Sequence, residues 1–206
     1  MNIEDYTCIK VDRPIERVNR ITLNRPDKRN ALSDQLRREL FTELTRVDTD
    51  DDINLTIIRG NEQCFSAGYD LSEPKEFSEN YPFFTSEGLG AWPRQVTEGC
   101  FRIWDLAKPV IGQVSGHCLA GGFELAQSCD LVFVADDANI GYPPVRSLSP
   151  PDNQAIPWLM GFRNAMYLML TGDGITGKQA AQQGFANASF APCLLYTSDA
   201  ADDSWG

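Results

Sequence analysis

Near the start of the chain, "YTCIKVD" and "RVNRITLN" alternate apolar and polar residues with a period of two, the pattern of half-buried strands, and Arg13-Pro14 marks a turn between them. The period then lengthens. Ser33 precedes a run in which Leu36, Leu40, Leu44 and Val47 recur at helical spacing, so the serine reads as the cap of an amphipathic helix. Three largely apolar runs, "NLTIIRG", "PVIGQVSG" and "DLVFVA", predict buried strands. The spacing predicts a helix over 94–107 and a short one between the second and third runs. Residues 72–93, rich in Ser, Glu, Pro and aromatics, show no period and read as a mobile flap. From 154 onward the pattern is helical, and Thr176 with Gln179 forms a capping box for a helix that stops at Gly184. This succession predicts an α/β fold, with no internal repeat of the solenoid kind.

Length and charge narrow the reading. A chain of 206 residues suits one domain with a sizeable core. A formal charge of −11 argues against a nucleic-acid partner, which needs clustered Lys and Arg, and any phosphorylated ligand must meet local positive groups instead. The opening "MNIEDYTCIKVDR" has neither the basic region nor the apolar run of a secretory signal, and no later run is long enough to cross a bilayer, so a cytoplasmic protein without membrane partners is expected. Six cysteines without paired or metal-ligand spacing read as reduced thiols packed as small apolar groups. The final stretch "CLLYTSDAADDSWG" offers no amphipathic face and resembles the translation of an adapter used in preparing sequencing libraries. The expected division is therefore one domain over 1–192 and a non-native, disordered tail over 193–206.

Two glycine corners carry the candidate chemistry. In "GHCLAGGFEL" an apolar strand runs through Gly121 and Gly122 into a helix, with Glu124 on its first turn. The first N–H groups of a helix lack intrahelical partners and sit at the positive end of its dipole, so glycine there lets an oxygen approach closely and stabilises an oxyanion formed in a reaction. In "CFSAGYDLSE" a second short apolar segment turns at Gly68 into Tyr69 and Asp70. Each corner alone is equally well read as a tight turn with glycine at positive φ.

Taken together, "ITLNRPDKRNAL", "CFSAGYDL", "KPVIGQVSGHCLAGGFELAQSCDLVFVADDANIGYP" and "LTGDGITGKQAAQQGFAN" resemble, in order and spacing, the crotonase family of enoyl-CoA hydratases and isomerases, as far as about Pro192. The resemblance implies a spiral of repeated ββα units whose C-terminal helical region is incomplete in this chain, and a homotrimer or dimer of trimers for the full-length form. It also implies an acyl-CoA thioester as ligand, coenzyme A being part of the substrate and no separate cofactor or metal being needed. The thioester oxygen would sit between the backbone N–H groups of Tyr69 and Gly121, and Glu124 would be the acid/base. CoA contacts would fall at Lys28, Arg29, Ala31, Ala67, Asp70 and Leu71; the plain alternative for Lys28 and Arg29 is a solvated loop.

The chain departs from the hydratase pattern at Pro144, where the family's hydratases carry a second glutamate. Proline cannot exchange a proton, which puts two-carboxylate addition of water in doubt. Asp152 stands where dienoyl-CoA isomerases of the family carry a catalytic aspartate, and it reads equally as a helix cap. His117, the only histidine, is expected to be buried near the pocket; "GQVSG" is not a nucleophile elbow, and "DTDDDIN" lacks the Gly and Glu of a calcium loop. Tyr81, Phe83, Phe84 and Trp92 are expected to pack in the flap, and Trp104 in the core. The reading that results is an enoyl-CoA hydratase of fatty-acid or related acyl-CoA metabolism. The alternatives are a double-bond isomerase, for which one carboxylate suffices, and a non-catalytic acyl-CoA-binding member.

Overall fold

The computed structural model describes residues 6–72, 91–152 and 155–195. Strands β1 (Ile9–Asp12) and β2 (Val18–Leu23) form the expected antiparallel opening pair. Helix α1 (Asp34–Asp48) starts where the sequence places its cap: Ser33 Oγ accepts the Leu36 N–H at 3.1 Å, and Leu36, Leu40, Leu44 and Val47 are all buried. Glu39 also faces inward, where its carboxylate accepts the N–H groups of Cys8 at 2.8 Å and Ile9 at 3.2 Å and so satisfies the end of β1.

Three successive units then repeat one plan. β3 (Leu55–Arg59), β5 (Val110–Val114) and β7 (Leu131–Ala135) enter a six-stranded sheet that also holds β10 (Ala188–Phe190), of order β1-β2-β3-β5-β7-β10 and parallel from β2 onward. Each is followed by a three-residue strand, β4 (Cys64–Ser66), β6 (His117–Leu119) or β8 (Asn139–Gly141), that joins a smaller sheet completed by β9 (Ile175–Thr176), of order β4-β6-β8-β9. Helices α2 (Ala91–Trp104) and α3 (Gly121–Gln127) close the first two units; α4 (Ile156–Met160) and α5 (Phe162–Thr171) follow the third. The chain is therefore a spiral of ββα units. β4, β6 and β8 run parallel and side by side, so the loops that leave them emerge at one edge of the small sheet.

The end of the chain holds more strand than its helical pattern suggests. β9 (Ile175–Thr176) and α6 (Gly177–Gln182) carry the capping box expected at Thr176 and Gln179, with Gly184 beyond it at φ +88°. Then β10 (Ala188–Phe190) pairs with β7, a strand too short and too polar to be read from periodicity. Helix α7 (Pro192–Leu195) follows; Leu195 is buried and its carbonyl accepts the Gln113 side-chain amide. Helix α2 spans 91–104, not 94–107, and Trp104 is 44% exposed, its ring tilted at 60° against that of a similarly exposed Phe101 with centroids 5.4 Å apart, while Cys100 and Ile103 face the core. Trp104 is thus not a core residue: apolar spacing marked a stripe on the helix, but the buried stripe lies one residue earlier. Tyr81, Phe83, Phe84 and most of the expected flap lie outside the described residues, as does the Trp92 side chain. All six cysteines are unpaired, five of them buried. Among the described residues no helix is long and apolar enough to cross a membrane, and no cluster of His, Cys, Asp or Glu is arranged to hold a metal ion.

Candidate active site

The two glycine corners meet. Gly68 has φ +110°, and a Cβ built on it would lie 2.7 Å from the Ala120 Cβ and 3.1 Å from the Gly121 nitrogen. A Cβ on Gly122 would fall 2.4 Å from the Ser66 carbonyl oxygen, and one on Gly121 2.6 Å from the Tyr69 ring. Glycine is needed at these positions so that α3 can start against the end of β4. Ala120, just before the helix, sits at φ +53°, ψ −123°, a conformation that favours glycine and is held there by its N–H bond to the Gly141 carbonyl at 3.1 Å. Gly121 is then the first helical residue, where an N–H has no carbonyl inside the helix to bond.

A cleft of about 330 Å³ opens at this junction, across the carboxyl ends of β4, β6 and β8. Tyr69 and Asp70 come from the first, Ala120 from the second, Tyr142 and Pro144 from the third, and Asp152 from the segment before α4. Glu124 lies behind this wall, wholly buried on the first turn of α3, and its Oε1 accepts the Asp152 N–H at 2.8 Å. Burial raises the Asp152 carboxyl above the usual carboxylate range, and it raises the Tyr142 phenol, to which the nearby Glu124 charge adds. Asp152 does not cap α4: the residue before that helix is Ala155, and no side chain caps it.

The residues expected along the rest of the ligand form one continuous strip. After the turn Pro26–Lys28, Arg29 and Asn30 both adopt left-handed conformations, and the buried Asn30 side chain donates to the Cys64 and Phe65 carbonyls at 3.0 and 3.1 Å. The Ala67 N–H bonds Arg29 O at 3.0 Å and the Leu32 N–H bonds Gly68 O at 2.8 Å, which lays Lys28 to Ala31 alongside Ala67 to Leu71. Lys28, Arg29 and Leu71 are exposed. Asp70 is committed internally, pairing with Arg25 at 2.9 Å and accepting both the Ser72 hydroxyl at 2.6 Å and its N–H at 3.0 Å. The Ser72 hydrogen bonds, with Arg25, hold its carboxyl down at about 2.

Against this geometry stand the comparisons. The family profile described as "Enoyl-CoA hydratase/isomerase" matches residues 15–194. The chain belongs to the enoyl-CoA hydratase/isomerase family. It is 33% identical over 172 residues to a hydroxycinnamoyl-CoA hydratase-lyase of Pseudomonas fluorescens, covering 82% of this chain and 62% of that protein. It is 34% identical over 179 residues to the 2,3-dehydroadipyl-CoA hydratase of Escherichia coli, covering 85% and 66%. Thus the chain spans just under two thirds of the length of these relatives. A crystal structure of an enoyl-CoA hydratase from Mycobacterium smegmatis superposes with a TM-score of 0.84 at 30% identity, over 98% of this chain and 71% of that one.

Within the enoyl-CoA hydratase/isomerase fold, four residues matter that sequence reading passed over or misplaced. Asn30 latches the 28–31 loop; an asparagine just after a turn is a recognised left-handed former, so the signal was present. Arg25 anchors Asp70, and Arg37, one residue off the apolar stripe of α1, lies buried with its guanidinium 5.7 Å from the Tyr69 ring centroid. His117 is exposed on β6, beside Asn139 on β8, and is absent from the cleft lining; the strand alternates, and it is Cys118 that points inward.

Proposed function

We propose that the cleft binds an acyl-CoA thioester and stabilises its enolate, and that hydration of an enoyl-CoA is the reaction it serves. One observation carries this reading: a wholly buried glutamate is held on the first turn of a helix whose opening residue abuts a second backbone corner, just behind the wall of the cleft, where its carboxylate accepts the N–H of the cleft-lining Asp152. Burying a carboxylate is costly, and a site that only bound a thioester would be better served by an apolar residue there. In this scheme the N–H groups of Tyr69 and Gly121 receive the thioester oxygen as it gains charge, and Glu124 exchanges the proton at the adjacent carbon. The strip from Lys28, Arg29 and Ala31 to Ala67, Asp70 and Leu71 receives the CoA moiety, with the two cations meeting its phosphates in an otherwise acidic chain.

Pro144 lines the cleft where the family resemblance implies a second carboxylate, so water must be activated by another group. Asp152 is the carboxyl in the same lining other than Asp70, which is already ion-paired, and its raised proton affinity suits a base working nearer neutrality. A double-bond isomerase is the second reading, favoured by Pro144, because one carboxylate can carry a single proton between two carbons. The two separate in one experiment. With crotonyl-CoA as probe, Asp152→Asn is expected to lower hydration by on the order of a hundred-fold and to leave α-proton exchange of butyryl-CoA within a few-fold. Rapid hydration indifferent to Asp152 would remove it from the scheme; no hydration by the parent chain, with double-bond transposition of 3-enoyl-CoA intact, would favour the isomerase.

A further inference from the structure

Arg37 is a buried cation that the proposed reaction leaves unused. Leu36 and Leu40, its neighbours on the inner face of α1, are apolar, and taking a guanidinium out of water is costly, yet Arg37 is only 4% exposed. The Asp34 carboxylate, one turn back at 3.8 Å, balances its charge and gives no reason for its burial. The guanidinium lies over the Tyr69 ring, 5.7 Å from the centroid, with Nη2 3.6 Å from where a Cβ on Gly99 of α2 would stand.

That ring in turn bears on Gly121. It covers the Gly121 Cα so closely that a Cβ there would meet Cε2, Cδ2 and Cζ at 2.6, 2.7 and 2.9 Å. The backbone around Tyr69 is tied to the start of the same helix. The Leu32 N–H donates to the Gly68 carbonyl at 2.8 Å and the Asp70 N–H to the Leu32 carbonyl at 3.3 Å, and Ser33 then caps α1. The cavity left between Leu32, Arg37, Tyr69, Gly121 and Leu125 is about 20 Å³, so the ring has little room to leave its seat. The start of α1 thus holds residue 69 twice, by its backbone through Leu32 and by its side chain through Arg37.

We propose that Arg37 is a positioning residue for the two glycine corners: by holding the Tyr69 ring on the Cα of Gly121, it fixes the spacing between the N–H groups of Tyr69 and Gly121. The inference rests on the reading of those two groups as the donors to the thioester oxygen. Such donors act only while aimed at the place where charge develops, and a small displacement of one from the other weakens both. A guanidinium suits the task, because its plane and its weak hydration let it lie on an aromatic face away from water. Methionine in its place fills similar space without a charge, whereas lysine keeps a cation over the ring.

The test uses the whole chain with butyryl-CoA, isotope-labelled at the thioester carbonyl, and reads two quantities: the fall in carbonyl stretching frequency on binding, and α-proton exchange in D₂O. Two aligned donors lower the carbonyl frequency of the bound ester. Arg37→Met is expected to lose most of that fall and to exchange about tenfold more slowly, with CoA-ester affinity close to the parent's. Arg37→Lys should recover the frequency fall and exchange within about threefold of the parent. In a Tyr69→Leu background, where the ring is gone, adding Arg37→Met should change exchange by less than about twofold. The infrared band comes from bound ester alone, so it reports on folded molecules even where Arg37→Met lowers the melting temperature. A frequency fall that survives Arg37→Met in full, a lysine variant as impaired as the methionine one, or independent effects in the double variant overturns the proposal. If the parent binds the ester with no fall in frequency, the assignment of the two donors fails, and this inference with it.

Discussion

At the scale of single residues, the site depends on charges that are fixed by neighbours more than by solvent. Asp70 shows this best, because its carboxylate is buried between Ser72 and Arg25 while its backbone belongs to the proposed CoA strip. Its depressed proton affinity ties corner stability to pH. The folded-state value of about 2 lies below the unfolded one, so the stabilisation is present above the ordinary carboxylate range and is lost as pH falls toward 2. Asp70→Asn is accordingly expected to cost about 2 kcal/mol at pH 7, and the gap from the parent should close between about pH 4 and pH 2. Denaturant unfolding across that range measures it; a gap that stays constant would show that the charge is not the source. Much at this scale was legible in sequence: Gly68, Gly121, Gly122 and Glu124 stand together as the family resemblance implied. What was not legible was the side-chain environment. The burial of Arg37 under Tyr69 and the exposure of His117 are decided by which way a helix face or a three-residue strand turns, and one chain read alone does not fix that.

At the scale of elements, the cleft is a consequence of where α3 begins. Its start is forced against β4 because Gly122 carries no side chain, and the strained Ala120 corner delivers Gly121 at the right height. Gly122→Ala would set a methyl 2.4 Å from the Ser66 carbonyl oxygen and 2.8 Å from its Cβ, so the helix has to move away from the strand. The expected cost is about 1–3 kcal/mol, seen as a fall in melting temperature of roughly 3–10 °C, with loss of exchange activity as the corners part. A melting curve that superimposes on the parent would mean that the close approach is unimportant. Long amphipathic elements and capped ones, α1 and α6 above all, followed their sequence signals closely. Short strands did not: β8 and β10 have three residues each, and they exist because adjacent strands present open edges to pair with, which no local periodicity records.

At the scale of the whole molecule, two sheets fed alternately by one spiral bring together segments from residue 28 to residue 152 at a single edge. The repeat is spatial. β3, β5 and β7 begin at residues 55, 110 and 131, an uneven spacing that hides the units from a search for sequence period. An acidic chain of charge −11 still offers a basic approach at Lys28 and Arg29, close to the corner that Arg25 pins. Among the described residues Trp158 is 89% exposed, and Phe162 and Leu170 on the following helix are also largely exposed.

The central claim is that this edge makes an enolate with Glu124 as the base. It is tested most directly by following deuterium incorporation at the α-carbon of butyryl-CoA in D₂O, by mass spectrometry, with the parent chain and with Glu124→Gln. The account predicts enzyme-dependent incorporation by the parent, a fall on the order of 10²–10⁴-fold in the variant, and CoA-ester binding retained in both. Incorporation by Glu124→Gln within a few-fold of the parent, or none by a parent chain that binds the thioester, would contradict it.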